Sequence, residues 1–269
     1  DGETGAGNIT LYGIGGSSSK TGVTGTVDIG HNNTNLINIY GSYYNINGVS
    51  TFTTADAADK IKIEEGTTIK TNGTDISFVR GDILLGDGHD LTITAGAGDV
   101  TLTDVGGVHD QVLDVEGTTV TAAVIGGGQE IKSVKLDGST KVILGGNITT
   151  SNTTGNNIDI DGNAEIGAGI TLDTSANSGT IDFSAKIDSA SGANNALTLT
   201  TGAGSISVGD AIGSSVAIGA LKINDGVAGA ATIALNGIGD SSSSAAGVVG
   251  TADIGHTATK GIDLSGGYY

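Results

Sequence analysis

A long internal repeat constrains this 269-residue chain more than any other feature. Residues 1–44 return at 225–269, with about 25 of 44 positions identical and a period of about 225 residues. Ile9-Thr10-Leu11-Tyr12-Gly13-Ile14-Gly15 matches Ile233-Ala234-Leu235-Asn236-Gly237-Ile238-Gly239. After one inserted residue, Gly25-Thr26-Val27-Asp28-Ile29-Gly30-His31 matches Gly250-Thr251-Ala252-Asp253-Ile254-Gly255-His256. Asp1-Gly2 matches Asp225-Gly226, and Gly41-Ser42-Tyr43-Tyr44 matches Gly266-Gly267-Tyr268-Tyr269. A weaker copy divides the period, with 60–107 corresponding to 163–213. Its clearest pair is Leu91-Thr92-Ile93-Thr94-Ala95-Gly96-Ala97-Gly98 against Leu197-Thr198-Leu199-Thr200-Thr201-Gly202-Ala203-Gly204. Repetition on this scale indicates one kind of unit stacked on itself. A single continuous architecture over 1–269 is expected.

The unit is made of strands. Lys60-Ile61-Lys62-Ile63, Asp90-Leu91-Thr92-Ile93-Thr94, Thr180-Ile181-Asp182-Phe183 and Ala196-Leu197-Thr198-Leu199-Thr200 alternate apolar and polar residues. Period two with β-branched enrichment reads as half-buried strand. The bursts end in Gly, Asn or Asp, which is turn chemistry. The chain has 48 Gly and no Pro, as a ladder that needs every backbone N–H would require. These features predict an all-β fold: a parallel β-helix, or β-solenoid, of about a dozen coils at roughly 20 residues each. At about 4.8 Å per paired strand, one period would extend roughly 50 Å. The alternative is a row of tandem β-sandwich domains of about 100 residues. With no Trp and no Pro, that alternative lacks its usual core and edge residues.

Composition removes several functions. Eleven Lys+Arg against 29 Asp+Glu give a net charge of −18, with Arg80 the only arginine. That balance argues against nucleic-acid phosphates and anionic lipid as partners. Without Cys there is no disulfide framework and no thiolate site. No apolar run approaches the length of a membrane span. The N-terminal Asp-Gly-Glu-Thr-Gly does not read as a signal peptide. Leu, Ile, Val and Phe make up about a quarter of the chain, above the roughly 20% that marks disorder.

No catalytic residue is assigned, and the chain is expected not to be an enzyme. Glu64-Glu65 and Asp159/Asp161 read as solvated strand or turn positions. His31, His89, His109 and His256 lack a serine or carboxylate constellation, and His31 and His256 share one repeat position. Calcium is the candidate ion: Gly86-Asp87-Gly88-His89-Asp90 has the form of one Gly-x-Gly-x-Asp turn, followed by Asp99 in Gly96-Ala97-Gly98-Asp99. Asp87, Asp90 and Asp99 are therefore the candidate ligands. Five of the six tyrosines, Tyr40, Tyr43, Tyr44, Tyr268 and Tyr269, lie in the last five residues of the two copies of the duplicated element, 40–44 and 265–269. In a chain with nine aromatic residues this placement marks an assembly interface between copies. The large side chains are expected to be withheld from the coils and gathered there.

The stretch Leu197-Thr198-Leu199-Thr200-Thr201-Gly202-Ala203-Gly204-Ser205-Ile206-Ser207-Val208-Gly209, continued by Leu221-Lys222-Ile223 and Ala231-Thr232-Ile233-Ala234-Leu235-Asn236-Gly237, resembles the repeats of filamentous-haemagglutinin-like bacterial surface proteins. The residues from Leu91 to Gly107 have the same cadence. The likeness extends over about two-thirds of the chain and corresponds to an interior repeat region. It implies a right-handed parallel β-helix, export, and a role in adhesion or an extracellular fibre. The expected function is a secreted or cell-surface structural protein that self-assembles head to tail through its solenoid ends. Its expected partners are copies of itself, or covalent tandem repeats, and glycans of a host or surface. The alternative is a carbohydrate-binding or carbohydrate-cleaving β-helix, which needs an exposed aromatic ladder or a convergent Asp/Lys groove.

Overall fold

A computed structural model describes residues 7–16, 22–226, 229–241 and 247–269. The Asp1-Gly2 half of one repeat match lies outside them. Every strand pair among the described residues is parallel, and no helix occurs. The fold is a parallel β-solenoid, and the tandem sandwich is excluded. No helix among the described residues is long and apolar enough to cross a membrane.

The coil has three faces. On the first, Ile9, Ile37, Ile61, Ile83, Val105, Ile125, Ile148, Leu172, Leu199, Ile223 and Ile254 stand in register. On the second, Ile14, Tyr44, Ile69, Ile93, Val115, Leu136, Ile160, Phe183, Val208, Leu235 and Leu264 do so. The third runs from Val27 through Ser50, Ile76, Val100, Val120, Val142, Ala164, Ile187 and Ile212 to Ile238. About nine turns carry strand on all three faces. That is fewer than a dozen, because steps on the first face run from 20 residues (Val105 to Ile125) to 31 (Ile223 to Ile254). The extra residues go into corners.

Alternation decides which side chains enter. In Lys60–Ile63 the two isoleucines are buried and the lysines are not. Stacking identical rungs lets β-branched side chains pack on their own kind, so a thin core suffices. One expectation is overturned. All three phenylalanines, Phe52, Phe78 and Phe183, are inside the coils. Phe52 and Phe78 stack at 5.0 Å and 11°. They occupy inward positions of Ser50–Thr53 and Ile76–Val79, where strand alternation already points them to the core.

Corners satisfy the backbone with buried hydroxyls. Thr174 Oγ1 donates to Gly179 O at 2.8 Å, and Thr201 Oγ1 donates to Gly204 O at 2.8 Å. The Gly96-Ala97-Gly98 and Gly202-Ala203-Gly204 segments are such corners, each closed by a 3.1 Å backbone bond from its second glycine.

The repeats acquire a phase in this geometry. Thr67–Thr71 lies on the second face, but its counterpart Ile170–Asp173 lies on the first, five turns less one face further on. Leu91–Thr94 and Leu197–Thr200 are related in the same way, as are Ile76–Val79 on the third face and Ile181–Phe183 on the second. Two such steps make nine turns plus one face. That is the relation between Gly7–Leu11 on the first face and the 233–235 stretch on the second. It also relates Val27–Gly30 on the third face to Ala252–Ile254 on the first.

Candidate assembly surface

The duplicated element keeps its local geometry although it changes face. Tyr44 Oη donates to Leu11 O at 3.0 Å, and Tyr269 Oη donates to the equivalent Leu235 O at 3.0 Å. The His31 N–H donates to Thr34 Oγ1 at 2.9 Å, and the His256 N–H to Thr259 Oγ1 at 2.7 Å. The Thr34 and Thr259 N–H groups return 2.8 Å bonds to the two histidine carbonyls. The repeated histidine is thus part of a turn. Gly30 and Gly255 open that turn at φ +86° and +87°, a region an L side chain enters only under strain. A Cβ on Gly30 would also stand 2.1 Å from Thr53 O of the next coil.

What differs is the cover. In the first copy Ile37, Ile39 and Tyr44 are fully buried, because Ile61, Ile63 and Ile69 of the following coil pair over them. In the second copy the equivalent Ile262, Leu264 and Tyr269 are 45%, 51% and 53% exposed. Gly261–Leu264 pairs on one side only, with Thr232–Ile238. The C-terminal coil therefore presents core residues and an unpaired strand edge together, the combination that templates further β-pairing. An open groove of about 470 Å³ runs beside Tyr268 and Tyr269, lined in part by Ile238, Val248 and Ala252.

The candidate tyrosines do not share one environment. Tyr44 is a core residue of the second face. Tyr40 and Tyr43 are partly exposed near the N-terminal end, and Tyr268 and Tyr269 lie at the C-terminal end. Tyr12, which the repeat pattern did not single out, stacks on Tyr40 at 5.6 Å and 22°. The second copy has Asn236 and Ser265 at those two positions, so this pair is particular to the N-terminal end. Ile262 and Leu264 were also missed. Nothing in their local sequence separates them from Ile37 and Ile39, and only the absence of a paired rung above them among the described residues does.

Two of the three candidate calcium residues bond to the next coil. Asp90 Oδ1 accepts the Val112 N–H of the next coil at 2.7 Å, and Asp99 Oδ1 accepts the Thr119 N–H at 2.9 Å. Asp104 does the same for Val124, as do Asn147 for Thr171 and Asn157 for Thr180. Corner Asp and Asn residues thus pair backbone groups where the ladder is interrupted. Asp87 is exposed in the 86–89 corner. Among the described residues no group of three or more His, Cys, Asp or Glu is placed to hold a metal ion.

Charge is densest outside the second face. Asp114, Lys135, Asp159 and Asp182 form one outward row, beside Glu116, Asp137 and Asp161 in the next. Lys135 meets Asp161 at 3.3 Å, and the hydrogen bond and charge of Asp161 raise the lysine pKa. Burial, then the charge of Asp161, pushes the Asp159 carboxyl above its ordinary value, against the pull of Lys135. A carboxyl with a raised folded pKa favours the fold below its unfolded pKa and loses that advantage as pH rises through the folded value. Asp159→Asn should therefore stabilise the fold at pH 7, by about 1 kcal/mol or less after screening, read as a higher melting temperature. Below about pH 3, where the carboxyl is protonated in both states, the gain should disappear.

Exposed aromatic side chains among the described residues are confined to Tyr12, Tyr40, Tyr43, Tyr268 and Tyr269, with none along the middle of a face. No family model matches the chain, and no curated protein or solved structure matches it.

Proposed function

We propose that this chain is a non-enzymatic structural protein, a repeat segment or subunit of a surface adhesin or extracellular filament, whose coils add along the solenoid axis. One observation carries the reading. The C-terminal coil exposes Ile262, Leu264 and Tyr269, whose counterparts in the first copy, Ile37, Ile39 and Tyr44, are buried under a further coil. An apolar, unpaired parallel edge at the end of a solenoid is an aggregation liability unless something stacks on it. Stacking that does not close on itself produces a rod or fibre. The acidic surface and the cadence shared with filamentous-haemagglutinin-like repeats fit an exposed position outside the cell. The lack of an aromatic ladder on the faces favours the scaffold over a glycan-cleaving groove.

The reading is tested by replacing Tyr268 and Tyr269 together with Ser and following assembly by electron microscopy and light scattering. The variant should lose most of its end-to-end association while keeping its far-ultraviolet β signal. Tyr44 must stay, because it is in the core. Association equal to that of the parent chain would remove the tyrosines from the interface.

A further inference from the structure

The first copy of the duplicated element shows what covers the second. Over Val27–Gly30 and the 36–39 stretch lie Ser50–Thr53 and Lys60–Ile63, with Phe52 over Ile29, Ile61 over Ile37 and Ile63 over Ile39. Thr67–Thr71 then places Ile69 over Tyr44. The C-terminal coil repeats the lower half of every one of these pairs: Ile254, Ile262, Leu264 and Tyr269. It keeps the glycine turn, the His–Thr bonds and the tyrosine bond that set their positions. An edge that matches in sequence, backbone geometry and side-chain placement selects the same complement.

We propose that the C-terminal coil is a docking surface for a second copy of the 45–269 period, for which residues 225–269 take the place that residues 1–44 hold in the first, and which is rotated by one face relative to it. The inference rests on the scaffold reading and adds to it the partner, the register and the phase. The rotation follows from the repeats. Ile37 stands on the first face and Ile262 on the second, so whatever covers Ile262 as Ile61 covers Ile37 must also be displaced by one face. A full period then advances nine turns plus one face, about 45 Å at about 4.8 Å per rung. Three periods bring the same residue back to the same face, so any surface feature of the period follows a helical path round the rod.

The experiment is a concatenated chain in which residues 45–269 follow Tyr269 directly, with a small folded tag inserted at Asp87-Gly88 in both periods. Electron microscopy should show one straight rod, about 45 Å longer than the parent, with its two tags a third of a turn apart. Two rods on a hinge would overturn the docking, and tags on the same side would overturn the rotation. A shorter extension, residues 45–80 after Tyr269, gives a second reading should the long chain fail to fold. The amides of 261–264 and the Tyr269 phenol should become at least tenfold more protected from exchange and from iodination. Protection unchanged from the parent would overturn the proposal. The scaffold reading can fail separately: a straight, correctly phased double rod would stand even if the parent chain never associated.

Discussion

Phe78→Ala should destabilise the fold by about 3–5 kcal/mol, the usual cost of emptying a buried aromatic position. The ring is buried and stacks on Phe52 at 5.0 Å, so its removal also strips one face of a second ring. The loss should be local. A solenoid coil touches only its neighbours, so stability is a sum of coils and interfaces. Hydrogen exchange should accelerate from residue 22 to about residue 100, while Leu113, Leu136, Ile160 and Leu199 keep their protection. Uniform loss of protection along the whole chain would mean that the coils are not energetically separable.

Asp188→Ala should cost about 2–4 kcal/mol at neutral pH. The carboxylate meets Lys186 Nζ at 2.9 Å and accepts the Ser215 and Val216 N–H groups at 2.8 and 3.1 Å. Its residue is buried. Burial by itself raises its pKa, but the Lys186 hydrogen bond, the two N–H groups and the charge of Lys186 outweigh it, and the net shift is downward. A depressed carboxyl contributes stability above its unfolded pKa and loses it as pH falls through the folded value. The gap between parent and variant should therefore be full at pH 7 and narrow below about pH 4. Melting curves across that range check it, and a gap that stays constant would mean that the ionised form is not what stabilises the corner. Asp159→Asn has the opposite sign at pH 7, so the two variants together separate a stabilising carboxylate from a strained one.

The strands were legible because alternation is local. Lys60–Ile63, Leu91–Thr94, Ile181–Phe183 and Leu197–Thr200 all fall where apolar and polar residues alternate. The parallel stacking was legible from the long repeat and from the missing proline. The three faces were not, because a strand carries the same pattern on any face and the coil step varies with corner length. The one-face offset between Ile37 and Ile262 is accordingly invisible in the aligned sequences. The placement of phenylalanine was misjudged by giving weight to scarcity: three rings are few, but each sits at an inward position of its strand. Read along the chain, the carboxylates of the 86–99 region are candidate calcium ligands, and their bonds to the neighbouring coil are not legible there. Read across coils, Asp90 and Asp99 are acceptors for the next backbone. At the exposed C-terminal coil, Tyr268 and Tyr269 stand out in the sequence, whereas Ile262 and Leu264 do not, since their exposure depends on which coil lies above.

Self-stacking is tested most directly by sedimentation velocity across a wide concentration range, with the same samples imaged by electron microscopy. End-to-end addition predicts masses rising in whole multiples of the chain mass, and rods of constant width that lengthen in steps of roughly 50 Å. Rods one chain long at every concentration would contradict it.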